Sequence, residues 1–139
     1  METKFNFNSQ ICTTREQSER LLALGLKKET ADMSWSYVCI SPTPEWMLVP
    51  LPIQGHTDTE IPAWSLHRLI EMMPTHISQG DFQFYRTIKP HSILYLPVNM
   101  ESMWSIGRVV VNTNNYYDGI IEMYEWLIKE GYLNKEYLV

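Results

Sequence analysis

Two groups of residues in this chain have the types and the spacing of a chemical site. His56, Asp58 and Glu60 alternate in HTDTE, so an extended backbone would aim all three to one side, where zinc or a hard ion could be ligated. His67 and Glu71 stand four positions apart in HRLIE. On a helix that spacing brings an imidazole and a carboxylate to one surface, as a metal pair or an acid/base pair. Together His56, Asp58, His67 and Glu71 would serve a small metal-assisted hydrolase or a small-ligand-binding protein. Each group also has an ordinary explanation, as a polar loop that leads into a helix and as a solvated helix face. A zinc-protease signature needs a second histidine, which HRLIE lacks, so neither a metal nor another cofactor is favoured.

Asp32 and Trp35 in TADMSW form a third candidate, because a carboxylate beside an indole can orient a small ligand or a partner chain. The competing expectation is an aspartate that caps or turns the backbone and an indole that fills the core. His76 and His91 lie near Pro74 and Pro90 and read as solvated loop histidines. Nucleophile and phosphate-loop motifs are missing: no G-x-S-x-G, G-x-G-x-x-G or G-x-x-x-x-G-K occurs among the six glycines. No catalytic residue is therefore assigned.

Charge and composition narrow the classes further. A net charge of −5 with eleven scattered basic residues opposes a nucleic-acid partner, which needs clustered Lys and Arg to neutralise phosphates. With 45% apolar and 19% charged residues, the chain is too hydrophobic to remain disordered, and 139 residues suit a single domain spanning 1–139. No basic segment followed by an apolar run opens the chain, and no stretch approaches a bilayer span, so a cytoplasmic protein without a membrane partner is expected. Cys12 and Cys39 are then free thiols. Five Trp, eight Tyr and four Phe must pad a core or furnish a binding surface with aromatic anchors.

Three helices and several short strands must position these residues. Thr13 with Glu16, or Thr14 with Gln17, can form a capping box, and the helix it starts closes at Gly25 with Leu26 folded back. WSYVCI (35–40) favours a strand, while Pro50 and Pro52 confine WMLVPLPI to a sheet edge or to pieces. A second helix is expected from about Pro62 to Met73, with Leu66, Leu69, Ile70 and Met73 in one stripe. DFQFYRTI (81–88) alternates as a half-buried strand, ILYLPV reads as a strand buried on both faces, and MWSIGRVVV (103–111) as a third strand of a meander. Ile120, Ile121, Tyr124, Leu127 and Ile128 mark the third helix. The pattern predicts an α+β fold: one antiparallel sheet of four or five strands, with an edge strand from KFNFN, and three helices mainly on one face.

The blocks TREQSERLLALGLKKETADMSW, IPAWSLHRLIEM and MYEWLIKEGYLNKEYL resemble small uncharacterised proteins carried by prophages and mobile elements of gut Bacteroides-type bacteria. That resemblance implies a bacterial cytoplasmic setting and an accessory role in phage or element maintenance. It transfers no catalytic residue, and it does not extend over 75–111. The functional expectation is a non-enzymatic protein-interaction module that binds a protein partner or self-associates as a homodimer.

Overall fold

A computed structural model describes residues 9–39, 42–55, 59–97 and 110–139. The first helix, α1 (Arg15–Ala23), starts at Thr14, whose side chain accepts from the Gln17 amide while the Gln17 side chain accepts from the Thr14 amide. Of the two capping boxes the sequence allows, this is the one that forms. Gly25 takes a φ of 99° just past the helix, a backbone state that L side chains rarely adopt. The amide of Leu26 then returns to the carbonyl of Leu21, and the Leu26 side chain is buried.

A short 3-10 turn (Lys28–Thr30) leads into three strands, β1 (Met33–Val38), β2 (Glu45–Val49) and β3 (Glu60–Ala63). They pair antiparallel in the order β2-β1-β3. As the prolines predict, β2 lies at an edge and stops before Pro50. β3 departs from expectation: Pro62 sits opposite Ser34 in the other edge strand, not in the first turn of a helix. The helix α2 (Leu66–Met72) begins four residues later, capped by Ser65, whose hydroxyl accepts from the Arg68 amide.

Four further strands follow: β4 (His76–Gln79), β5 (Phe82–Lys89), β6 (Ser92–Pro97) and β7 (Val110–Asn112). They form an antiparallel meander in chain order. Phe82, Phe84 and Ile88 share one face of β5, as the alternation in 81–88 predicts, with Phe84 across from Ile77 and Ile88 from Ile93, but only Phe84 is buried and Phe82 and Ile88 remain exposed. Ile93, Leu94 and Tyr95 are all buried, as a strand covered on both faces requires. β4 extends the expected meander by one strand and places His76 in a sheet. The last helix, α3 (Tyr116–Lys129), crosses β6 and β7 and also packs on α1 and α2.

The main core lies between these layers. Ile120, Ile121, Met123, Tyr124 and Leu127 of α3 meet Ile77, Phe84, Ile93 and Tyr95 from the meander and Leu69, Met72 and Met73 from α2 and its end. Gly119 lets α3 approach closely, because a Cβ there would stand 2.4 Å from Cγ2 of Thr113. Arg20 of α1 pairs with Asp118 at 3.6 Å, not with Glu16 as its spacing suggests.

The fold is α+β and its sheets are antiparallel, but the described strands divide into two sheets where the sequence pattern predicts one. The reason is that alternation marks which residues are strands but not which strands pair: β1 takes β2 and β3 on its two edges, β4 to β7 pair in chain order, and no described strand joins the two sets. The expected KFNFN strand and residues 103–109 of the expected third strand lie outside the described residues. Among the described residues, no helix is long and apolar enough to cross a membrane.

Candidate functional site

Asp32 and Trp35 converge on one junction, where Cys12 and Ser65 form an isolated antiparallel bridge. There the Thr13 amide donates to the Trp64 carbonyl at 2.9 Å, and the Trp64 amide donates to the Thr13 hydroxyl at 3.0 Å. The carboxylate of Asp32 accepts from the Ser65 amide at 2.9 Å and from the Ser65 hydroxyl at 2.5 Å. The indole of Trp35 donates to the Thr13 carbonyl at 2.9 Å. Trp64 is fully buried, and its indole donates to Thr30, whose hydroxyl in turn donates to the Lys27 carbonyl. The sequence expectation of a backbone-fixing aspartate describes Asp32 well: it ties the start of α2 to the residue before β1.

The chemistry available at this junction is that of an anchor. Burial, with a smaller contribution from the Asp32 charge, pushes the Cys12 thiol up to about 11, so it stays protonated and a poor nucleophile at neutral pH. Burial likewise raises Tyr117 above the ordinary phenol range. The Ser65 hydroxyl donates to Asp32 and accepts from the Arg68 amide, so its hydrogen-bonding capacity is taken up in fixing the backbone.

His67 and Glu71 both lie exposed on α2, yet the structure does not join them. Glu71 pairs instead with Arg68 at 3.2 Å, and the guanidinium of Arg68 is held in place by the Thr30 carbonyl at 2.8 Å. His56 and Asp58 lie outside the described residues. Glu60 accepts from the Gln54 amide at 2.7 Å. No group of three His, Cys, Asp or Glu side chains among the described residues could hold a metal ion. His76 stacks against Tyr85 with ring centroids 5.8 Å apart, and His91 occupies the β5–β6 turn.

A larger feature is the three-stranded sheet itself. Trp35 sits opposite both Leu48 and Ile61, and Tyr37 opposite Trp46, so these five side chains share one face. The rings of Tyr37 and Trp46 meet at a 54° tilt with centroids 5.3 Å apart, and the guanidinium of Arg15 lies 5.2 Å from the centre of the Trp46 ring. Tyr37 remains 40% exposed, and the other four are half-buried. Met47 on the opposite face is 46% exposed. No residue of β1, β2 or β3 belongs to the main hydrophobic cluster. Sequence reasoning singled out Trp35 alone of this group. The legible signal was the pair of alternations Trp35/Tyr37 and Trp46/Leu48, which a hairpin register brings side by side.

Comparison of the chain with protein-family models, curated proteins and solved structures finds no match.

Proposed function

We propose that this chain is a non-enzymatic protein-interaction module, an accessory factor of the phage or mobile-element kind, that associates with a second copy of itself through the aromatic face of β1, β2 and β3. One observation carries the reading: the sheet adds nothing to the main cluster, yet it concentrates two Trp, one Tyr, one Leu and one Ile on one incompletely covered face. Trp and Tyr anchor well-packed interfaces because they bury large area at small entropic cost. The polar junction that covers part of this face supports the same reading. Its carboxylate and hydroxyls are consumed in fixing the sheet to α1 and α2, which makes the face a rigid platform.

Sedimentation velocity from micromolar to millimolar concentration tests this. The expected result is a monomer–dimer equilibrium that Tyr37→Glu shifts to monomer while thermal stability stays near that of the parent. A strict monomer throughout the range overturns self-association. A dimer that Tyr37→Glu leaves intact overturns the assignment to this face.

A further inference from the structure

We draw no further inference here: the strongest candidate, the open hollow of about 630 Å³ beside the end of α1, lined by Leu22, Leu26, Lys27, Lys28, Glu29 and Val139, carries nothing because its lysines belong to a surface rim and nothing in the structure shows what covers its apolar floor.

Discussion

The two sheets are built from similar residues and end in different environments. In the four-stranded sheet, Ile77, Phe84, Ile93 and Tyr95 are sealed by α2 and α3, and each buried phenol finds a carbonyl. Tyr95 donates to Pro74 and Tyr124 to Leu69, while Arg86 donates to the carbonyls of Ile70 and Met73. The end of α2 and the residues just after it are thus satisfied by side chains from three other elements, β5, β6 and α3. In the three-stranded sheet, Trp35 and Trp46 are half-covered by the chain around Thr13 and Arg15, and Tyr37 faces outward. Aromatic content alone does not distinguish core from surface. The layer that packs above it does.

Truncations measure that difference directly. Tyr124→Ala removes a fully buried ring and leaves the Leu69 carbonyl without its partner, so it should cost about 3–5 kcal/mol in chemical denaturation. Tyr37→Ala should cost no more than about 1 kcal/mol, since it loses only a half-open ring contact. Equal losses would mean that the three-stranded sheet is as much a part of the folding core as the meander, and the comparison would fail.

Alkaline pH probes both regions through their buried acids. Cys12 at the junction is raised to about 11 by burial and by Asp32, and burial holds Tyr95 and Tyr124 in the core above the ordinary phenol range. Between its ordinary value of 9.0 and about 11, the unfolded thiol loses its proton while the folded thiol keeps it. Stability is therefore full below that window and falls as pH rises, by about 2–3 kcal/mol for a shift of this size. The tyrosines add a further loss above their unfolded value of 10.0. Denaturation midpoints measured against pH should show Cys12→Ala flattening the first part of the decline and leaving the second. An unchanged slope in that variant would show that the thiol is not shielded from water.

Gly119→Ala tests how tightly the packed region is closed. The new methyl would meet Cγ2 of Thr113, and the Thr113 hydroxyl is bound to both the amide and the carbonyl of Asn115, so the side chain cannot turn away freely. A loss of about 1–3 kcal/mol is expected despite the better helix propensity of alanine. Adding Thr113→Ser removes the nearest obstruction and should restore part of it, since Cβ of residue 113 and Cδ1 of Ile93 still stand 3.0 and 3.1 Å from the new methyl. Asp32→Asn acts where the two regions join, weakening the hold on Ser65 by about 1 kcal/mol through loss of the charged acceptor. Calorimetry should show a lower melting temperature with a single transition. Two separate transitions would reveal that the three-stranded sheet can detach from the rest.

Much of the local structure was legible because its causes are local. The Thr14–Gln17 capping box, the glycine stop at Gly25, the stripe of α3, the alternation in β5 and the proline limit on β2 each depend on neighbouring residues. The hidden features depend on distant ones. β3 was obscured because Pro62 also suits a helix start, and only pairing with Ser34, 28 positions earlier (62 − 34), reveals the strand. The division into two sheets is likewise a matter of long-range pairing. At the site, His67 and Glu71 had the right spacing, but Arg68 outcompetes the imidazole because the Thr30 carbonyl holds its guanidinium beside Glu71. The type of Asp32 suits both a ligand-orienting carboxylate and a backbone-fixing one, and the structure shows the second. Its partner, Ser65, could be found only in three dimensions.

The smallest effect concerns a single turn of the packed region. His91 follows Pro90 in the two-residue connection of β5 and β6 and has a φ of 66°, where a side chain costs about 1 kcal/mol that glycine avoids. His91→Gly relieves that strain but enlarges the freedom of the unfolded chain, so the net gain should be about 0.5 kcal/mol. The carbonyl of residue 91 continues to accept from the Thr113 amide, because that bond needs no side chain. A urea midpoint that rises slightly with an unchanged slope would place the hairpin among strained but well-supported turns. A midpoint that falls would instead show that the imidazole braces the small hollow it shares with Pro90, Thr113 and Tyr116, and that packing in this region extends out to its hairpin tip.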